Sequence, residues 1–387
     1  MRSQKPESGR LLSVDILRGV ASLIVVLYHL YDGGIFFRPP YNERPLTKFA
    51  LMLPVSYGFV GVYLFFVISG FCIHLRAAKA KSVGREDFQV GFIPFWKKRI
   101  RRLYPAYLAS IALYLLVLGF QGKLLWSWFF AWDLGSHLLM IHNFDPRTLY
   151  GISVVFWTLA IEEQLYLAYF GILWMRRRFS WGKVLLCCLG ARFLWFAFAW
   201  LGQRFLGIEI VFLGAAAATW CIWVLGAVTV EAYLGLIKLP RWTRSWTLFC
   251  GVCGLAMFLT YIDFFASTER SLLGTTVWGQ LVLQPLWGIA AFLLVNVVIA
   301  KEKVWFGKRE WVFVVQLLAG VGLFSYSLYL THEAVIRVAN NMQFPKLLTL
   351  MLCVGLAYVF FRVFEKPFLN SPQPEPRRGM VVEQTAS

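Results

Sequence analysis

The sequence predicts an all-α integral membrane protein, a bundle of about ten transmembrane helices whose N- and C-termini are cytoplasmic. Of the 387 residues, 59% are hydrophobic and only 15% are charged, whereas about a quarter of the residues in an ordinary soluble domain are charged. Apolar stretches long enough to cross a hydrocarbon core of about 30 Å recur from one end of the chain to the other. Such a chain cannot cover itself with polar surface, so we expect one domain embedded in the lipid bilayer.

Ten apolar runs are candidate membrane spans. They lie near residues 13–31, 57–75, 103–120, 154–175, 183–201, 210–230, 246–264, 276–299, 312–331 and 346–364. A further apolar and aromatic segment, residues 124–144, is expected to be an interfacial or re-entrant helix on the outer side. If it crossed the membrane fully, the basic run Arg176–Arg178 would lie outside, against the positive-inside rule.

The formal net charge of +18 comes from short basic clusters between the apolar runs. With a cytoplasmic N-terminus, every strongly basic loop falls on the cytoplasmic side, as the positive-inside rule requires. These loops are Arg76–Arg102, Arg176–Lys183, Lys238–Arg244 and Lys301–Arg309. The charge therefore indicates topology, and no nucleic acid is expected as a partner. Binding of an anionic ligand or a lipid headgroup at this surface is a second use that the charge allows.

We expect a cytoplasmic N-terminal segment over residues 1–10, a transmembrane domain over 11–368 and a disordered cytoplasmic tail over 369–387, which is rich in proline and polar residues. No cleavable signal peptide is expected, because the first apolar run carries charged residues and lacks a small-residue cleavage site. Cys250 and Cys253 form a lone C-x-x-C. Without a second pair or a histidine partner, this motif predicts no metal site.

The first apolar run carries a stripe of polar residues. Arg18 and His29 are eleven residues apart, which is close to three full helical turns and a rise of about 16.5 Å. Asp15 and Ser22 lie on the same face. The stripe could be a polar helix–helix contact in which Asp15 pairs with Arg18. Alternatively, His29 is a proton acceptor in a polar cavity, since ionisable groups inside a membrane are costly and by default mark function.

Two further groups of charges have both a structural and a functional interpretation. Glu162 and Glu163 lie inside the fourth apolar run. Adjacent helical positions point about 100° apart, so one carboxylate could serve a site while the other pairs with an arginine. Arg99 and Arg102 belong to a basic run ahead of the third apolar run. They could anchor the topology, or share a helical face suited to clamping phosphate groups.

Histidines near the ends of other spans are less informative. His332 falls at the outer end of the ninth run, where it could join His29 at one cavity or sit at the membrane interface. For His74, His137 and His142 we expect an interfacial position.

Six short motifs then occur in one order along the chain: DILRGVASLIVVLYH, FFVISGFCI, KKRIRRLYPAY, FWTLAIEEQLYL, FSYSLYLTH and FEKPF. In these motifs the chain resembles the acyltransferase family 3 membrane proteins, which include O-antigen, exopolysaccharide and peptidoglycan O-acetyltransferases. The resemblance covers about residues 11–368. One such motif alone is weak, whereas six in order on a ten-span topology are specific.

The resemblance implies transfer of an acyl group, commonly acetyl, from cytoplasmic acyl-CoA to a hydroxyl of a carbohydrate or glycoside acceptor, in the bacterial cytoplasmic membrane. It implies catalytic roles for His29, Arg18, Asp15, Glu162 and Glu163. By the same resemblance, the residues that bind acyl-CoA are Arg99, Arg102, Ser69 and Gly70, with Pro105 in the same motif, and those that bind the acceptor are Tyr329 and His332. No metal is implied.

The chain departs from the family pattern at two positions. Thr158 stands where serine is common, and Thr331 stands where an aromatic residue often precedes the histidine. The short C-terminal tail also leads us to expect no appended esterase-like domain. A transporter or flippase for a polar or lipid-linked substrate is the main alternative, because intramembrane Arg, His and Glu also line transport pathways. A membrane partner in polysaccharide synthesis is a third interpretation, although it leaves the polar stripe without a role.

Overall fold

The computed structural model describes residues 11–31, 55–85, 88–124, 126–208, 215–266, 279–306 and 312–369. Within these ranges every regular element is helical. The terminal segments 1–10 and 370–387 and the segment 32–54 between the first two predicted spans lie outside the described residues.

The described part of the chain forms twelve α-helices. They are α1 (Leu12–Leu30), α2 (Gly61–Ser82), α3 (Phe92–Phe120), α4 (Trp128–Leu138), α5 (Trp157–Arg176), α6 (Trp181–Leu206), α7 (Ala216–Tyr233), α8 (Trp246–Ala266), α9 (Gln284–Phe306), α10 (Val312–Leu323), α11 (Ser325–Asn341) and α12 (Lys346–Phe360). Short 3₁₀ or π turns lead into α2, α8 and α9 and continue α12 as far as Phe368.

Eight of these helices are long and apolar enough to cross a membrane, and α10 together with α11, bent by 77°, would make nine. The membrane prediction is therefore confirmed for eight or nine spans of the described chain. Helix α5, which carries Glu162 and Glu163, is not among them, so the count of ten stays a prediction. Helix α4, within the predicted re-entrant segment, has 11 residues and is about 16.5 Å long, too short to cross a core of about 30 Å.

Helix α3 begins eleven residues before the predicted start of the third span, at Phe92. The basic run Lys97–Arg102 is thus part of the helix and not of a loop ahead of it. Lysine and arginine are good helix formers. Pro105 lies inside this same helix. Arg99 and Arg102 are consequently carried on a continuous helix that continues into the bundle.

The predicted ninth span, residues 312–331, is not a single straight helix. It breaks at Phe324, where α10 ends and α11 begins with φ −111° and ψ 21°. Helix α10 packs closely against α1, since a Cβ on Gly322 would collide with the backbone carbonyl of Asp15. After the break, Tyr326 on α11 donates a hydrogen bond to the carbonyl of Leu103 on α3 at 3.2 Å. The break therefore lets one apolar segment contact both α1 and α3.

Helices α2 and α7 cross at two glycines. A Cβ on Gly70 would overlap the carbonyl oxygen of Trp223, and one on Gly226 would overlap that of Val67. Small residues of this kind let helix backbones approach closely, which is how helices in a membrane gain packing energy. The crossing sets the position of Ser69, next to Gly70, at the wall of the central cavity.

We expect Gly226→Ala to destabilise the protein by about 1–3 kcal/mol, because the added methyl must push α2 and α7 apart. The matched control is Gly190→Ala on α6, where a Cβ meets no atom within 4 Å. The control should be neutral or slightly stabilising, since alanine is the better helix former. Thermal unfolding of both variants in detergent checks this; equal midpoints would contradict the close crossing.

Candidate functional site

A cavity of about 170 Å³ lies inside the bundle, between α1, α2, α3, α5, α11 and the turn after α12. Its apolar walls come mainly from α2, including Phe65 and Ile68. Its polar lining residues are Arg18, Ser69, Arg99, Arg102, Thr158, Glu162, Tyr166, Ser325, Tyr326, Tyr329 and Glu365. Six of the sequence-predicted site residues therefore meet at one place, namely Arg18, Ser69, Arg99, Arg102, Glu162 and Tyr329.

Three arginines dominate the charge of the cavity. Among the described residues, Arg18, Arg99 and Arg102 form no ion pair within 4.0 Å and no hydrogen bond. The guanidinium of Arg99 lies 5.5 Å from the ring centre of Phe95 and 5.6 Å from that of Tyr166. Each arginine is partly buried. Partly desolvated guanidinium groups without a carboxylate in contact are suited to binding an anion.

Two glutamates that line the cavity, Glu162 and Glu365, offset part of this charge. Glu162 lines the cavity, whereas its neighbour Glu163 is buried and does not, as the 100° step between adjacent helical positions predicts. Neither makes an ion pair within 4.0 Å in the described part of the chain. Glu365 lies buried in the turn after α12 and accepts a hydrogen bond from the Ser327 hydroxyl at 2.6 Å. Three arginines against two glutamates leave the cavity positive.

Hydroxyl groups form the part of the wall nearest the histidines. The hydroxyls of Tyr329 and Thr158 lie 2.6 Å apart, and either can be the donor. Both hydroxyls also lie 3.1 Å from the carbonyl oxygen of Val155, so one hydroxyl donates to the other and the second donates to this carbonyl. Thr158, a departure from the family pattern, thus still supplies a hydroxyl at this point. The ring of Tyr329 in turn lies 5.8 Å from that of His332.

His29 and His332 form a pair next to the cavity. Their ring centres are 5.3 Å apart. The Nδ1 of His332 lies 3.0 Å from the carbonyl of Leu328, so Nδ1 carries the proton. Its buried Nε2 has no hydrogen-bond partner among the described residues. Neither histidine lines the cavity itself; Tyr329 connects the cavity to the pair.

The remaining predicted residues have other surroundings. Asp15 is 7% exposed and does not line the cavity. Gly70 faces Trp223 at the crossing of α2 and α7, so its place in the structure is a packing position. Its neighbour Ser69 accepts a hydrogen bond from the indole N–H of Trp223 at 3.2 Å.

Three histidines that we expected at the membrane interface are instead buried within the protein. His74 lies 3.2 Å from Glu231, which also accepts from Arg176 at 2.7 Å. His137 and His142 stack with ring centres 3.8 Å apart. Burial lowers the pKa of His142 to about 3. The contact of His74 with Glu231 joins helices distant in sequence, which is why span-end position alone did not predict it.

Sequence reasoning missed several polar residues that line the cavity. Glu365 is part of the FEKPF motif and directly follows the last predicted span, yet it received no role. Tyr166, Ser325 and Tyr326 also line the cavity. Uncharged residues of this kind carry no comparable signal, because tyrosine and serine are frequent in membrane helices.

The fold and the site define a multi-pass helical membrane protein with a positively charged cavity inside its bundle. The model of the family described as "Acyltransferase domain" matches residues 11–364. The chain therefore belongs to this acyltransferase family, and the resemblance drawn from the six motifs is confirmed.

Named relatives are O-acetyltransferases. The chain is 29% identical over 181 residues to O-acetyltransferase OatA of Staphylococcus aureus (strain NCTC 8325 / PS 47). The aligned part covers 43% of this chain and 26% of that protein. It is 31% identical over 167 residues to the putative peptidoglycan O-acetyltransferase YrhL of Bacillus subtilis (strain 168), covering 40% and 22% respectively. The chain thus spans about a quarter of the length of these relatives. No solved structure matches.

Proposed function

We propose that this protein is a membrane-bound O-acyltransferase, which transfers an acetyl group from cytoplasmic acetyl-CoA to a hydroxyl of a carbohydrate of the cell envelope. One observation carries the proposal: three arginines without a carboxylate partner in the described chain face one cavity inside an acyltransferase bundle. The names of the relatives support the acetyl group and the envelope acceptor.

The cavity suits one end of acyl-CoA. At about 170 Å³ it is smaller than the ~300–1000 Å³ of sites that enclose a drug-sized ligand. It can hold part of the pantetheine arm, with the pyrophosphate at the arginines and the adenosine outside. Arg18, Arg99 and Arg102 would bind the anionic phosphates by charge-assisted hydrogen bonds. Arginines that the nearby glutamates only partly neutralise are costly inside a bundle, and a bound anion would lower that cost.

His29 would carry the proton transfer. As general base it would accept the proton of the acceptor hydroxyl, whose oxygen attacks the thioester carbon; the C–S bond breaks and the thiolate takes up that proton. Alternatively, the imidazole nitrogen accepts the acyl group first and passes it to the hydroxyl. Both routes need the histidine close to the acyl end of the cavity, and Tyr329 lies between the two. Glu162 or Glu163 would orient an arginine or the histidine.

Our proposed topology places ten spans in the cytoplasmic membrane with both termini and the cavity arginines on the inner side. His29 then lies about 16.5 Å further along α1 than Arg18, toward the outer face. This arrangement would let the donor enter from the cytoplasm and the acceptor approach from outside.

The test uses membrane vesicles that contain the protein and a C-terminal tag. With radiolabelled acetyl-CoA, which does not cross membranes, inside-out vesicles should acetylate envelope glycans and right-side-out vesicles should not. Protease should remove the tag only in inside-out vesicles. Absence of label from the glycan in both orientations would contradict the proposed acyl transfer. Uptake of a glycan without covalent change would favour the transporter or flippase.

A further inference from the structure

Cys72 differs from the other cysteines of the chain in its surroundings. All seven cysteines lie in the described part of the chain and are free thiols. Cys72, on α2, is partly exposed and lines the cavity. The other six line no part of this cavity: Cys187, Cys188, Cys221, Cys250, Cys253 and Cys353. Cys72 is therefore the thiol that a solute inside the cavity meets.

Cys72 lies on the face of α2 that forms the cavity wall. It follows Ser69 by three residues, which is just under one helical turn and a rise of about 4.5 Å. Phe65 and Val62 continue the same face in the other direction at intervals of four and three residues, and all four residues line the cavity. The thiol thus belongs to a continuous wall and not to a separate pocket.

The charge of the cavity attracts anions to this thiol. Arg18, Arg99 and Arg102 line it against two glutamates, and among the described residues none of these arginines makes an ion pair within 4.0 Å or a hydrogen bond. Arg102 is largely buried, so water screens its charge poorly. Reactive cysteines are typically partly exposed thiols in electropositive surroundings. Cys72 meets both conditions.

We infer that Cys72 is a site of thiol modification, at which a small anionic disulfide forms a mixed disulfide with the protein. The Cys72 sulfur attacks one sulfur of the added disulfide, so that a new S–S bond forms and the old one breaks. The departing thiolate takes up the proton of the Cys72 thiol. Cys72 is thereby oxidised, and one half of the added disulfide is reduced. A dithiol reverses the step by the same exchange.

The adduct would inhibit the proposed acyl transfer. The cavity has a volume of about 170 Å³, so an attached group of the size of glutathione leaves no space for the pantetheine arm. Its carboxylates would also occupy the arginines that we propose for the donor phosphates. This effect on turnover rests on the proposed function, whereas the modification itself does not. Cytosolic thiols are normally kept reduced, so the inhibition would follow oxidative stress.

Reaction with three methanethiosulfonates of different charge tests the site in the unaltered protein. The reagents carry an anionic sulfonate, a cationic trimethylammonium or a neutral methyl group, and mass spectrometry of the Cys72 peptide follows each reaction. Each rate is divided by the rate of the same reagent with free 2-mercaptoethanol. We expect the anionic reagent to react about 10- to 10³-fold faster than the cationic one, since a cleft lined by positive charge concentrates anions. A ratio of one or less would overturn the inference.

Arg102→Ala should lower this preference for the anionic reagent, because it removes one of the three positive charges. The matched control is Arg101→Ala, since Arg101 is exposed on the same helix and does not line the cavity. It should leave the preference unchanged. Each rate is taken relative to that of the neutral reagent, so that a change in access to Cys72 cancels. An equal preference in wild type and Arg102→Ala would contradict attraction by the cavity arginines.

Glutathione disulfide is the probe for the adduct and its effect on turnover. We expect one glutathionyl group on Cys72, loss of acetyl transfer, and recovery of transfer with dithiothreitol. Cys72→Ala, compared with its own untreated sample, should keep its turnover after treatment. Cys187→Ala, which removes an exposed thiol from α6, should lose turnover as wild type does. Equal inactivation of Cys72→Ala, or an adduct confined to other cysteines, would overturn the inference.

The results separate the modification site from the proposed function. Untreated protein that transfers no acetyl group overturns the proposed function, and the reaction rates at Cys72 still test the modification site. Untreated protein that transfers acetyl groups, but whose Cys72 stays unmodified by glutathione disulfide, overturns the modification site alone.

Discussion

Replacement of His29 by alanine is expected to lower the rate of acetyl transfer by about 10²- to 10⁴-fold, the usual contribution of a positioned general base. The loss should be larger if the imidazole also carries the acyl group, because no other route then exists. His29 has the imidazole of His332 at 5.3 Å, whose Nδ1 donates to the carbonyl of Leu328 and whose Nε2 has no partner among the described residues. We therefore expect any residual turnover of the His29 variant to disappear when His332 is also replaced by alanine.

The measurement is turnover of purified protein with acetyl-CoA and a glycan acceptor. Equal insertion, equal thermal unfolding and an unchanged dissociation constant for acetyl-CoA must accompany the loss, since His29 does not line the cavity. A folded variant with wild-type turnover would exclude a chemical role for His29. Mass spectrometry of wild type trapped with acetyl-CoA separates the two routes, because only one leaves acetyl on the imidazole.

Much of the fold follows from the sequence because hydrophobic length is set by the thickness of the membrane. Each predicted span corresponds to a helix or to the bent pair α10 and α11. The bend at Phe324 was not predictable in this way. It depends on contacts of α10 with α1 and of α11 with α3, which are tertiary and leave no hydropathy signal.

The site was predictable where it consists of charges. Arg18 and Glu162 stood out because charges inside apolar runs are costly, and Arg99 and Arg102 stood out because they share one helical face ahead of a span. All four line the cavity. Helical spacing placed Arg18 and His29 on one face, but it did not show that Tyr329 would lie between the cavity and the histidine pair. That separation depends on the packing of α11.

The position of Gly70 could not be predicted from its motif. Gly70 belongs to a recognisable motif and was assigned to acyl-CoA, yet it lies at a helix crossing under the carbonyl of Trp223. A sequence motif can contain residues that pack helices together as well as residues that bind substrate. Glycine has the packing role where two helix backbones must approach closely. Its neighbour Ser69 reaches the cavity. The sequence alone could not separate these two roles.

Arg102→Ala should raise the KM for acetyl-CoA about 10- to 100-fold, because a hydrogen bond to a charged group contributes about 1.5–3 kcal/mol and about 1.4 kcal/mol corresponds to a factor of ten. The turnover number should change less, since the arginine lies on the cavity side of Tyr329, away from the histidines. Arg102→Lys should be intermediate, because lysine keeps the charge but loses the planar fork that binds two phosphate oxygens.

The neighbouring Arg101 supplies the matched control. It belongs to the same basic run on α3 but is exposed and does not line the cavity. Arg101→Ala removes the same charge from the same membrane boundary, so any effect on topology should be shared by both variants. An increase in the KM for acetyl-CoA confined to Arg102→Ala would show that Arg102 binds acetyl-CoA. If both variants instead lose protein abundance equally and keep an unchanged KM, the basic run is a topology anchor. Positive charge at the membrane boundary would then matter more than the position of each arginine on the helix.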